Sequence, residues 1–250
     1  MKKLISILIS LVALLSCNKA SKEQPDSIYV TTVVDITDSR QVYPDAEHIL
    51  PLFGFKNNEA SEAMFKICTV TDKELNPAIE FRLPNGIETE KDNLEDDPDF
   101  RQKLIVKFFT SIRNTIAAFN TKVISDTAIN HSECFKSISN ELQSLVNQKS
   151  VKRVLLVYSD LQENSAFFNC YSKSNQKLVQ SNPERVADIF DTAGLMPKGL
   201  KNITVSFIYN PISREDDIRF MAMLKVYKKL LEVRGAKVTV SASNSINMQP

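Results

Sequence analysis

The chain has 250 residues, long enough for one globular domain with a proper core. Its 31 basic and 30 acidic side chains leave a formal charge of +1, so no overall field favours nucleic acid or an anionic surface. Only 5 glycines are present, none in a phosphate-cradling loop, and the two histidines, His48 and His131, have no spaced partners for zinc.

The chain opens with Lys2 and Lys3, an apolar run over residues 4–15, then Ser16 and Cys17. That run is too short for a comfortable membrane span and ends in a small residue, as a cleaved signal does. Leu14-Leu15-Ser16-Cys17 resembles the bacterial lipobox, which implies cleavage before Cys17 and lipidation of its thiol. The expected layout is a signal peptide over 1–16, a lipidated Cys17 on a polar tether to residue 27, a domain over 28–242 and a tail over 243–250. Each buried acyl methylene contributes about 0.8 kcal/mol, so two or more chains anchor a protein stably. Asn18 follows the cysteine in place of the aspartate that, by the same resemblance, marks inner-membrane retention. The expected address is therefore the cell envelope, at the outer membrane of a two-membrane bacterium. With Cys17 lipidated, Cys68, Cys134 and Cys170 form an odd set without metal spacing, which leaves one disulfide and one free thiol open. Cys68, inside an apolar strand, reads as a buried small residue.

Residues 30–40, V-T-T-V-V-D-I-T-D-S-R, are too densely β-branched for a half-exposed strand and predict one buried on both faces of a parallel sheet. At its end Asp35, Thr37 and Ser39 alternate, an acid and two hydroxyls that read as a ligand set. Residues 44–63 are weakly helical, interrupted by Pro51 and Gly54. Strands follow at 64–70 and 78–83, paired as an antiparallel hairpin through a link holding Asn76-Pro77, the second alternating like an exposed edge. Residues 84–99 form an acidic solvated loop. Asp97-Pro98 then opens a long helix with Phe100, Leu104, Phe108, Ile112, Ile116 and Phe119 inward, flanked by Ile105 and Phe109. A second helix over 132–147 turns Phe135, Ile138, Leu142 and Leu145 inward.

A strand over 153–159 ends on Asp160, the second acid at a strand tip. The polar segment 161–182 carries Phe167, Phe168 and Tyr171, and Asn182-Pro183 opens a short helix. A buried strand spans 203–209. Ser213 and Asp216 form a capping box for a helix with Ile218, Met221, Leu224, Tyr227 and Leu231 inward, closed by Gly235 at a left-handed cap. A final strand covers 236–241.

This order predicts an α/β fold, a doubly wound, Rossmann-like and mostly parallel sheet with one antiparallel edge strand and helices on both faces. Following right-handed crossovers through the hairpin and the two helices brings Asp35, the loop before Ser132, and Asp160 to one face. The acidic loop before Asp97 lands on the opposite one.

D-I-T-D-S at the end of the first strand resembles the D-x-S-x-S motif of von Willebrand factor type A domains, the metal-ion-dependent adhesion site, and the resemblance extends along most of residues 28–241. Ser132, with Cys134, Ser137 and Ile138 at the offsets of the family's second loop, matches its helix-opening threonine. Asp160, after V-L-L-V-Y-S, matches its last aspartate. The resemblance implies that Thr37 and Ser39 ligate a divalent cation, Mg2+ or else Mn2+ or Ca2+, that Ser132 does so directly or through water, and that Asp35 and Asp160 hold its waters. Such a hard cation, ligated mostly by neutral oxygens, stays hungry for an anion. A protein partner offering an acidic residue would supply it, without catalysis. Thr37, Ser132 and Leu161 stand where the family most often has serine, threonine and glycine.

Three other readings stay open. The hydroxyls and Asp35 can serve as helix caps in the same fold with the metal lost, as part of an envelope assembly. Haloacid-dehalogenase-like phosphatases also begin with a strand ending in a nucleophilic Asp. They need an acid two residues on, and that position is Thr37. The aromatics Phe167, Phe168 and Tyr171 are either a rim for the partner or a small satellite core.

Overall fold

The computed structural model describes residues 27–37, 42–54, 62–70, 78–86, 99–125, 132–149 and 152–244, with the side chains of 122–125 excepted. The lipobox with Cys17, the motif's Ser39, His131 and the Asp97-Pro98 helix start lie outside these residues.

The first strand, β1 (Ile28–Asp35), is buried at all eight positions, as its β-branched run requires. It lies inside a six-stranded sheet of order β3-β2-β1-β4-β5-β6. The other strands are β2 (Ala63–Val70), β3 (Ala78–Leu83), β4 (Lys152–Tyr158), β5 (Ile203–Ile208) and β6 (Lys237–Ser241). All neighbours run parallel except β3, which pairs antiparallel with β2 and is mostly exposed. The expected hairpin and edge strand are both present. From β1 the chain winds outward to β2 and β3, then returns and winds the other way through β4 to β6. The order reverses between β1 and β4, and the crevice outside the strand tips at such a switch point is where doubly wound sheets place ligands.

One face of the sheet is covered by a short helix α1 (Ala46–Ile49), a 3-10 turn (Leu50–Phe53) and the long α2 (Phe100–Ser125). The other carries α3 (Cys134–Val146), α4 (Lys173–Ser181), α5 (Pro183–Thr192) and α6 (Arg214–Glu232). Alternation along β1 sends Ile28, Val30 and Val34 to the α2 face, and Tyr29 and Val33 to the α3 face. Asp35, two residues beyond Val33, is therefore delivered to the face where α3 begins.

Among the described residues of the weakly helical stretch over 44–63, α1 and the 3-10 turn are helical, and the turn stops at Gly54 in the left-handed region (φ 54°), while 55–61 lie outside the described residues. The structure corrects three other expectations. The polar segment 161–182 contains α4, capped by Ser172 and burying only Val179, so its helical stripe is too thin to read in sequence. On α6, Ile218 (46% exposed) and Met221 (41%) face solvent. The buried stripe runs through Phe220, Met223, Leu224, Tyr227, Leu230 and Leu231, with Phe220 packed on Tyr209 at 5.1 Å. Cys68, Cys134 and Cys170 are all free and buried, so the open disulfide does not form. On α2, Phe108, Ile112 and Ile116 are buried, flanked by Leu104, Ile105, Phe109 and Phe119, as its periodicity predicts.

Candidate functional site

Asp35 is the hub of the switch-point crevice, buried to 1% exposure at the tip of β1. Its Oδ1 accepts from the Thr37 backbone N–H at 3.0 Å and from the Thr37 hydroxyl at 2.7 Å, a tight turn closing the strand. Its Oδ2 faces Ser132 Oγ at 3.0 Å, Ser159 Oγ at 3.0 Å and Cys134 Sγ at 3.2 Å. One carboxylate thus gathers donors from the tip of β1, the start of α3 and the tip of β4. A buried carboxylate demands such partners, since desolvating the charge without hydrogen bonds costs several kcal/mol.

The helix-cap alternative fails for the residues that can be seen. The helix after β1 is capped by Asp45, whose side chain accepts from Glu47 N–H, and not by Asp35. Ser132 does not cap α3: the cap position is Glu133, without a side-chain cap bond, and the Ser132 hydroxyl goes to Asp35. The cap of α3 comes from elsewhere. Glu163, two per cent exposed in the loop after β4, accepts from Phe135 N–H at 2.8 Å and sits against the positive end of the helix. The same loop bridges to the strand-like residue before α3, with Asn164 N–H to Ser132 carbonyl at 2.9 Å and the reverse bond at 3.3 Å. These bonds lock the two loops together across the crevice.

Burial raises the Glu163 carboxyl to about 7; Glu133 and Asp35 push the same way, against the bonds from Ser165 and Phe135. Burial also lifts the Cys134 thiol well above its ordinary value, aided by Asp35, so it stays protonated and serves as a donor.

Asp160, expected beside Asp35, turns its carboxylate into its own loop and accepts from Gln162 N–H at 2.9 Å. The residue that meets Asp35 is the one before it, Ser159, which the sequence reading missed. Period-two alternation finds it: Leu155 and Val157 lie on the α3 face, so Ser159 does too, while Asp160 points away. Ser159 Oγ also accepts Leu161 N–H at 2.9 Å, fixing a turn in which Leu161 is left-handed (φ 63°) and fully buried.

The three aromatics are placed unequally. Phe168 is a core residue, 6% exposed and edge-on to Phe190 at 5.3 Å. Phe167 is 43% exposed and stacks on Phe135, and Tyr171 is 54% exposed. The Tyr171 phenol is nevertheless pushed upward, first by burial and then by the charges of Asp160 and Asp35.

Among the described residues no three His, Cys, Asp or Glu side chains converge as a metal cage. Any cation held here would rely on hydroxyl oxygens. No helix among them is long and apolar enough to cross a membrane. The chain matches no family model and no curated protein, so its function has to be read from the geometry of the crevice.

Proposed function

We propose that the domain is a von Willebrand factor A-like binding module, tethered to a bacterial envelope through Cys17, that captures a protein partner at the β1–β4 crevice through a divalent cation. The observation that carries this reading is the convergence of the Thr37, Ser132 and Ser159 hydroxyls on Asp35. A hydroxyl that gives its proton to a carboxylate keeps its lone pairs, and those are what a hard cation takes. Asp35 then acts as the orienting partner behind the ligands, the role outer carboxylates have around metals. Thr37 and Ser132 would hold Mg2+ or Mn2+ with Ser39, and Ser159 would take the place at the β4 tip that the sequence gives to Asp160, whose carboxylate turns into its own loop. The bound cation would supply an open position for an acidic side chain of the partner. Leu161 adds support, because it is left-handed at the position where the resembled family has glycine. Phe167 and Tyr171 form the exposed aromatic rim; Phe168 stays in the core.

A second reading has its own observation. Both oxygens of Asp35 are satisfied within the protein, and the Cys134 thiol fills part of the cluster, 3.0 Å from Ser132 Oγ. That favours a structural hub in which the fold persists without a cation. The phosphatase reading gains nothing, since a threonine holds the general-acid position.

Thermal melting in Mg2+ separates the two. Saturating a site at a hundred times its dissociation constant stabilises the native state by about 2.7 kcal/mol. The binding reading expects a melting temperature that rises with Mg2+ in the wild type and stays flat in Thr37→Val. A flat response in both establishes the structural hub. Capture of a partner that chelator abolishes and Phe167→Ser weakens would extend the reading to the rim.

A further inference from the structure

The crevice lies over the strand tips, and the strand starts make a different surface. Strands β1, β4, β5 and β6 are parallel there, with Ile28 beside Lys152, Arg153 beside Ile203 and Thr204 beside Lys237. Helices α3, α5 and α6 all end at this pole, because each leads into the strand that follows it. Hydrogen bonds tie the joining loops together: Leu200 N–H to the Arg234 carbonyl at 2.8 Å, Arg153 Nη2 to the Lys201 carbonyl at 2.7 Å, and Ser27 Oγ to the Lys149 carbonyl at 3.5 Å. Lys149, Lys198 and Lys201 are exposed on this surface. Nearby acids are taken by other bases: Asp191 pairs with Arg234, Asp188 with Lys229 at 2.9 Å, and Glu232 with Lys228 at 3.7 Å. The pole is therefore basic, although the chain as a whole carries only +1. Leu195 (44% exposed) and Val233 (77%) stand in the same loops.

Helix macrodipoles account for Lys228 and Lys229 in the last turns of α6, but their pull fades beyond the last turn. Lys198 and Lys201 lie well past Thr192, where α5 ends, so they need another reason. The chain enters the domain at this same pole, since Ser27 also accepts Lys152 N–H at 3.1 Å. From Cys17 to Ser27 the backbone reaches at most about 35 Å when fully extended. The acidic residues 88–97 follow β3, at the other edge of the sheet. Four strand spacings separate β3 from β5, about 19 Å against a Debye length of about 8 Å, so those acids do not cancel the lysines.

We propose that the pole carrying Lys149, Lys198 and Lys201 docks on the anionic phospholipid headgroups of the membrane that holds the Cys17 lipid, with Leu195 and Val233 entering the headgroup layer. The proposal rests on the tethering half of the proposed function and not on the cation. A short tether keeps the pole close to the lipid, so a weak attraction suffices. Each lysine at such a surface raises the ratio of docked to free domain about fivefold. The sheet then holds the crevice about 25 Å above the lipid, open to a partner.

The test uses the chain purified from its membrane, with acylation of Cys17 read by mass, reconstituted in vesicles of phosphatidylcholine with or without phosphatidylglycerol. A fluorophore on Val233→Cys reports the pole, and one on Ile212→Cys, 56% exposed beyond the tip of β5, reports the crevice end. Cys68, Cys134 and Cys170 are buried and should not take the label. A headgroup-spin-labelled lipid should quench position 233 in the phosphatidylglycerol vesicles alone, and about 0.5 M salt should relieve it. Lys198→Glu with Lys201→Glu, checked for folding by thermal melting, should weaken docking about tenfold or more. Position 212 should stay unquenched throughout. Equal quenching at the two positions, or quenching at 233 that ignores phosphatidylglycerol or the charge reversal, overturns the proposal. A chain without acyl groups overturns the tether instead; co-sedimentation with the same vesicles then decides the pole, supported by binding that needs phosphatidylglycerol and both lysines and overturned by its absence.

Discussion

Two buried carboxylates sit at the same end of the sheet and solve the same problem differently. Asp216, in the first turn of α6 beyond β5, is 8% exposed and accepts from Tyr209 hydroxyl at 2.7 Å and Ile212 N–H at 3.0 Å. Its partners lie 7 and 4 residues away, and the result is a local knot that shapes one loop. Asp35 instead draws on donors 97, 99 and 124 residues distant, most of them hydroxyls with lone pairs to spare. Local satisfaction by a phenol and an amide builds a corner, whereas remote satisfaction by hydroxyls builds a site. The contrast also shows why burial alone does not mark function, since both acids are buried.

The largest expected effect breaks the hub. Asp35→Ala leaves three or four buried donors without an acceptor and should cost about 3–5 kcal/mol in urea denaturation, against about 2 kcal/mol for Asp216→Ala. A double-mutant cycle sharpens this, because Ser132→Ala and Ser159→Ala should cost less in the Asp35→Ala background than alone. Equal losses at Asp35 and Asp216 would dissolve the distinction.

Glu163 gives the next effect. Its carboxyl is raised from 4.5 to about 7 in the folded chain, so between those values the native state holds a proton that the unfolded state has lost. Stability should therefore be fullest below about 4.5 and fall as pH rises to about 7, by on the order of 3 kcal/mol, then level off. Glu163→Gln keeps an acceptor for Phe135 N–H and cannot ionise, so its profile should lack that fall in pH-dependent unfolding. A fall of the same size in the variant would place its origin elsewhere.

Two smaller effects test the flanking turns. Tyr209→Phe should cost about 1 kcal/mol, since Asp216 keeps the Ile212 N–H. At Leu161 the usual order should invert. Both truncations lose the same buried contacts, but alanine keeps a Cβ in the left-handed region, so Leu161→Gly should be about 1 kcal/mol more stable than Leu161→Ala. Alanine equal to or above glycine would show that the turn carries no strain.

Much of this is legible in the sequence. The density of β-branched residues in β1 implies its burial, the alternation of 78–83 implies the edge, and right-handed crossovers bring Asp35 and Ser132 to one face, which their 3.0 Å contact bears out. What stayed hidden has physical reasons. Ser159 hides in the sequence behind the more conspicuous acid beside it, although strand alternation already separates the two. Glu163 lies in a polar stretch, and its burial follows from the non-local bridge between Asn164 and Ser132, which no local pattern encodes. Half of the capping box at Ser213 forms, since its serine accepts from Asp216 N–H at 3.1 Å. Its acid turns instead to Tyr209. On α6 two apolar stripes compete in the sequence, and packing of Phe220 on Tyr209 selects the one that buries the ring.

The most direct test of the central claim is a Mn2+ titration followed by electron paramagnetic resonance, run on the wild type, Ser132→Ala and Ser213→Ala. Ser132 and Ser213 both stand at helix starts near strand tips, but one serves the remote hub and the other the local knot. The account predicts one bound ion in the wild type and in Ser213→Ala, with the ion weakened about tenfold or more in Ser132→Ala, as loss of a ligand requires. No bound Mn2+ in the wild type, or equal binding in all three, would contradict it and leave Asp35 a structural hub.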